Sequence, residues 1–191
     1  MTTDTPDAAP AAQKPTIVLI HGLWLTPLSW EGWKQRFESK GYTVLAPAWP
    51  GLEGTVEEVH QNTSRYERLG IKEITDHYDG IIRGLGAPPI IMGHSFGGLI
   101  TQLLLDRGLG ASAVAVSRHN SSRAPLLFLA NGKDHTVPAV STRAAYKIQK
   151  KTGALTELKE YPDRSHYTFA QDGWEEVADY SLDWAVRNAR T

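Results

Sequence analysis

The 191-residue chain contains no cysteine. That excludes disulfides, a thiol nucleophile and any cysteine-ligated metal site, and it is compatible with a reducing cytoplasm. It also lacks an excess of either charge: 20 Lys+Arg stand against 21 Asp+Glu. Such balance supplies no electrostatic reason to expect nucleic acid or an anionic membrane as partner. Long apolar runs are missing, the longest being about six residues against the roughly 20 that a membrane-spanning helix needs, so no membrane span is expected. Residues 1–15 (MTTDTPDAAPAAQKP) have neither an apolar core nor a basic cluster and do not read as a secretory signal. Their Thr/Ala/Pro/Asp composition predicts a disordered tail, and a cytoplasmic location is the expectation. No G-x-G-x-x-G or Walker pattern occurs, and no H-x-x-x-H or H-E-x-x-H. No cofactor and no metal are therefore expected, and His60, His77 and His119 read as ordinary polar positions.

What the chain does have is alternation. Residues 16–20 (TIVLI) form a short continuous apolar run, the pattern of a buried strand. Residues 29–40 follow with Trp30, Trp33 and Phe37 at helical spacing, stopped by Gly41. Strands are expected over 42–46, 90–92, 113–116, 126–130 and 155–161, and helices over 71–85, 96–107, 138–151 and 174–187. A long polar connection, 47–69, has room for a short helix. Strand and helix taking turns predict an α/β fold of about six mostly parallel strands with helices on both faces. In such sheets functional residues gather at the carboxyl ends of the strands.

One such end carries Gly93-His94-Ser95-Phe96-Gly97, directly after Pro89-Ile90-Ile91-Met92. This is G-x-S-x-G between a strand and a helix, a turn sharp enough to hold the serine hydroxyl clear of the backbone. A Cβ at Gly93 or Gly97 would collide with neighbouring chain. A serine hydroxyl is a weak nucleophile and needs an imidazole to take its proton, a carboxylate to orient that imidazole, and N–H donors for the developing oxyanion. Asp134, in Gly132-Lys133-Asp134-His135 after the strand LLFLA, is the candidate acid, with Asp163 the alternative. A turn or N-cap role for Asp134 is also open. His166, between the last strand and the last helix, is the candidate base, and an ordinary loop histidine is the other reading of it. Leu23 N–H, in His21-Gly22-Leu23-Trp24 after the first strand, and Phe96 N–H are the candidate oxyanion donors, with His21 bracing that turn by a hydrogen bond. Trp24 and His94 are candidates for the substrate pocket, and His135 reads as a packing neighbour of Asp134.

These residues resemble the α/β-hydrolase fold family, in its bacterial serine esterase, lipase and cofactor-free perhydrolase branch. HG-x-W, G-H-S-F-G-G, G-K-D-H-x-V-P and R-S-H carry the resemblance, which covers roughly residues 16–188, and the order Ser95, Asp134, His166 is the family's. It implies a single domain over 16–191 and a serine hydrolase for small carboxylic esters. Perhydrolysis, with peroxide in place of water, and a non-catalytic scaffold are the alternatives. Most of the family carries a helical cap after the strand matching 113–116. Here only residues 117–125 (SRHNSSRAP) lead to LLFLA. Nine extended residues reach about 30 Å, too few for a helix and two loops. The expectations are an open, capless site and either a partly bare sheet face near 113–130 that invites self-association, or two strands that are not neighbours.

Overall fold

A computed structural model of the protein describes residues 13–61, 64, 69–115 and 124–190. Residues 1–12 of the expected tail over 1–15, Val116, and residues 117–123 of the link over 117–125, His119 among them, lie outside the described residues, and so does the side chain of His60.

Six parallel strands form one sheet in the order β2-β1-β3-β4-β5-β6: β1 Ile17–Ile20, β2 Val44–Leu45, β3 Ile90–Gly93, β4 Ser112–Ala115, β5 Leu126–Asn131 and β6 Thr156–Tyr161. Among the described residues six α-helices accompany them: α1 Glu31–Ser39, α2 Val56–Gln61, α3 Ile71–Arg83, α4 Phe96–Asp106, α5 Ala139–Gln149 and α6 Trp174–Arg187. This is the core of an α/β-hydrolase fold. The expected first helix is in part a 3-10 turn, Pro27–Trp30, because Thr26 O accepts both the N–H and the hydroxyl of Ser29 before α1 begins. Among the described residues no helix is long and apolar enough to cross a membrane.

The continuous apolar runs follow from burial on both faces. On one face Ile17, Leu19, Ile90, Met92, Val114, Leu127 and Leu129 meet Trp33 and Phe37 of α1 and Val177, Leu182 and Trp184 of α6. On the other, Val18, Ile20, Ile91, Ala113, Ala115, Leu126 and Phe128 meet Ile74, Tyr78 and Ile82 of α3, Ile100 and Leu104 of α4, and Ala145 of α5. Strand β6 is an edge, and Glu157 and Glu160 on it are exposed. Helices α1 and α6 are also tied by Arg36, which donates to both carboxylate oxygens of Asp179 at 2.7 and 2.6 Å.

Two expectations about the short link are corrected. Strands β4 and β5 are neighbours, with Ala113, Val114 and Ala115 paired to Leu126, Leu127 and Phe128. Nor is the sheet bare there, since every residue of both strands is buried. Helix α6 covers β4 and β5 on one face, while α4 and α5 cover them on the other. The described helices do the work for which a crossover helix was expected.

The strand order reverses at β1, which has β2 on one side and β3 on the other. A crevice opens at the carboxyl ends of strands at such a point, and there the loops after β1 and β3 face each other.

Candidate active site

Ser95 is the residue between β3 and α4, with φ 56° and ψ −120°. A non-glycine residue in the left-handed half of the map carries strain that the surroundings must hold. What holds it is close packing: a Cβ on Gly93 would overlap Gly97 O and Thr101 Oγ1, and one on Gly97 would overlap Ile20 O and His21 O. Helix α4 therefore begins directly against the end of β1, with the N–H groups of its first turn pointing at the crevice.

The turn after β1 supplies the facing wall. Leu25 N–H donates to Gly22 O at 3.3 Å, and Trp24 sits at φ 65°. Gly22 packs against Ser95, where an added Cβ would stand 3.1 Å from Ser95 Cβ. His21 is buried. Its Nδ1 lies 2.9 Å from Gly22 O, which can only accept, so Nδ1 carries the hydrogen. The ring stacks on Trp49 with centroids 5.2 Å apart. Burial lowers its pKa to about 4, so the ring is neutral. Neither Leu23 N–H nor Phe96 N–H is engaged by a backbone carbonyl of the described residues.

Asp134 lies in the turn after β5 and is 5% exposed. Its Oδ1 accepts from Thr136 N–H at 2.9 Å and Val137 N–H at 2.7 Å. Its Oδ2 lies 2.8 Å from Nδ1 of His166, which follows β6. Asp163 instead points outward, its side chain 86% exposed and paired with Lys133 at 3.1 Å. His135 is exposed, not packed.

These groups share one cleft of about 340 Å³, lined by Leu23, Trp24, Leu25, His94, Ser95, Phe96, Thr136, His166 and Tyr167. Of the candidates, Ser95, His166, Leu23, Phe96, Trp24 and His94 line it, Asp134 reaches it through His166, and Asp163, His21 and His135 do not line it. The hydrogen bonds among the described residues do not include one between Ser95 Oγ and His166; catalytic contacts are commonly long before substrate binds. Thr136 and Tyr167 belong to the cleft although nothing in their spacing marked them. Tyr167 directly follows His166, the one adjacency that could have pointed to it.

The outcome is a half-buried serine, a carboxylate–imidazole pair and two N–H groups without a backbone partner among the described residues, around one mostly apolar cleft. That arrangement can attack a carbonyl and shelter the negative charge that forms.

Residues 17–121 match the model of a family described as "Alpha/beta hydrolase family". No curated protein matches by sequence. Among solved structures, a monoacylglycerol lipase from Paleococcus ferrophilus superposes with a TM-score of 0.74 at 16% identity, over 93% of this chain and 97% of that one. Esterase 2 of Thermogutta terrifontis, phosphorylated by paraoxon, gives 0.71 at 16% identity, over 95% and 85%. A pyrethroid hydrolase from Sphingobium faniae gives 0.68 at 14% identity, over 90% and 97%. At these identities the likeness is one of fold.

Proposed function

The chain belongs to the alpha/beta hydrolase family, and we propose that within it the protein is a serine hydrolase cleaving small carboxylic esters through an acyl-enzyme on Ser95. Residues 16–191 are proposed to form the one catalytic domain. The observation that carries this reading is the 2.8 Å contact between His166 Nδ1 and Asp134 Oδ2, on an imidazole that opens into the cleft lined by Ser95.

In the proposed reaction Ser95 Oγ adds to the ester carbonyl carbon while its proton passes to His166 Nε2. Asp134 keeps the hydrogen on Nδ1 and stabilises the imidazolium that forms. Leu23 N–H and Phe96 N–H donate to the oxyanion, aided by the positive end of α4. Collapse expels the alcohol, which takes the proton back from His166. Water then adds to the acyl-enzyme by the same proton route, releasing the acid and Ser95.

Trp24, Leu23, Leu25 and Tyr167 would form the walls for the substrate, with the 3% exposed His94 behind them rather than against it. Among the described residues no Lys, Arg, Asp or Glu side chain lines the cleft, which favours uncharged esters, and its size favours short acyl groups. The names esterase and lipase among the structural neighbours point to the same bond.

The test is turnover of an activated acetate or butyrate ester by wild type and Ser95→Ala, together with labelling by a fluorophosphonate. Turnover and an adduct on Ser95 are expected in wild type alone. Equal rates in the two proteins would sink the proposal.

A further inference from the structure

His94 precedes Ser95 in the chain, yet its side chain is turned away from solvent and is 3% exposed. Its Nε2 lies 2.8 Å from the main-chain carbonyl oxygen of His166, and the two rings stand 4.6 Å apart, centroid to centroid. A carbonyl only accepts, so Nε2 carries the hydrogen. Burial, then the neighbouring His166, pushes the His94 pKa down to about 3, so the ring is neutral with Nδ1 bare.

The backbone of His94 is itself anchored. Its N–H donates to Ile20 O at 3.1 Å and its carbonyl accepts from Gly97 N–H at 2.9 Å. The ring therefore projects from the same rigid turn that sets Ser95. His166 lies on a loop between β6 and α6, where nothing regular fixes it. That loop has other tethers: Lys133 N–H to Arg164 O at 2.9 Å, Trp33 Nε1–H to Phe169 O at 3.0 Å, and, beside His166, Ser165 N–H to Gln171 Oε1 at 3.0 Å and Gln171 N–H to Tyr167 O at 2.8 Å. The first two act on its flanks and the last two stay within the loop, tying it to itself rather than to the turn of Ser95. The bond from His94 meets the loop at His166 itself, and Phe169 closes the other side of the His94 ring at 4.4 Å.

We infer that His94 is a positioning residue, whose Nε2–H hydrogen bond to the His166 carbonyl holds the imidazole of His166 in register with Ser95. The inference rests on the reading of Ser95 and His166 as nucleophile and base. It goes beyond that reading in assigning how the distance between two remote segments is set. Asp134 orients the ring of His166 from one side, while His94 fixes the peptide that bears it.

His94→Phe keeps an aromatic ring against Phe169 and removes the donor. His94→Gln keeps an N–H donor at a reach close to that of Nε2. With an activated butyrate ester, His94→Phe is expected to lower kcat roughly 100-fold, the scale of a misplacement of about 1 Å, with KM changed less than about threefold. His94→Gln is expected to recover kcat to within about fivefold of wild type. A second readout needs no turnover: the downfield proton NMR signal of His166 Nδ1–H, held by Asp134, should be lost or shifted in His94→Phe and kept in His94→Gln. If the Phe protein does not fold, His94→Asn, whose amide stops short of the carbonyl, takes its place. A donor-less variant with wild-type kcat or an unmoved Nδ1 proton overturns the inference, as does a Gln variant as impaired as the Phe one. If wild type cleaves no ester, the proposed function falls, and the NMR comparison alone decides whether His94 positions His166.

Discussion

Asp134 meets His166 with one carboxylate oxygen, Oδ2 at 2.8 Å from Nδ1, while its other oxygen is held by the N–H groups of Thr136 and Val137. Asn at position 134 can keep the second set of bonds but turns an N–H₂ toward His166. The imidazole must then accept at Nδ1 and carry its hydrogen on Nε2, where it can no longer take a proton from Ser95. Asp134→Asn should lower kcat on an activated butyrate ester by about 10³- to 10⁴-fold with little change in melting temperature. Asp163→Asn should stay within about twofold of wild type, since its exposed pair with Lys133 contributes little.

Ser95 at φ 56° occupies backbone space that glycine enters freely. Ser95→Gly should raise the unfolding free energy by about 1 kcal/mol relative to Ser95→Ala and abolish ester turnover. Urea unfolding of both variants checks it. Equal stabilities would mean that the turn carries no strain.

Glycines in the fold divide by what surrounds them. At Gly97 a Cβ meets the carbonyl oxygens of Ile20 and His21, whereas at Gly80, inside α3, it meets nothing within 4 Å. Gly97→Ala should cost on the order of 3 kcal/mol or prevent folding. Gly80→Ala should stabilise by about 0.5–1 kcal/mol through helix propensity. Chemical denaturation distinguishes the two directly.

Acid sensitivity follows from two buried neutral histidines. The pKa values of His21 and His94 fall from 6.5 to about 4 and about 3, in both cases chiefly through burial. Below pH 6.5 the unfolded chain binds protons that the folded chain refuses, so stability declines as pH falls. The slope is up to about 1.4 kcal/mol per pH unit for each histidine. Their contribution is complete above pH 6.5 and lost progressively down to about pH 4 for His21 and about pH 3 for His94. His94→Gln should reduce the slope of unfolding free energy between pH 6 and 4.5 by about one proton; an unchanged slope would falsify the assignment.

Much of this was legible along the chain. The runs IVLI, IIMG and LLFLAN are buried on both faces, which is why they read as strands without alternation. The stripe Ile74, Tyr78, Ile82 of α3 is buried as its spacing indicates. Less legible were the ends of elements, such as the 3-10 turn before α1, because local bonds such as the two from Ser29 to Thr26 O decide them. The bare face expected near 113–130 was wrong because a count of link residues says nothing about how far α6, α4 and α5 extend over the neighbouring strands.

Sequence alone was enough for what adjacent residues impose on one another: the alternation that makes a parallel sheet, and the two glycines that let a serine stand on a strained turn. These are matters of local sterics, of short continuous apolar runs and of a period of 3.6. Tertiary structure decided which of two nearby acids faces His166, and brought His94 to the carbonyl of a residue 72 positions away. It also covered β4 and β5 from both sides. Contacts of that kind depend on which strand ends the sheet order sets side by side, and no short stretch of chain carries that order.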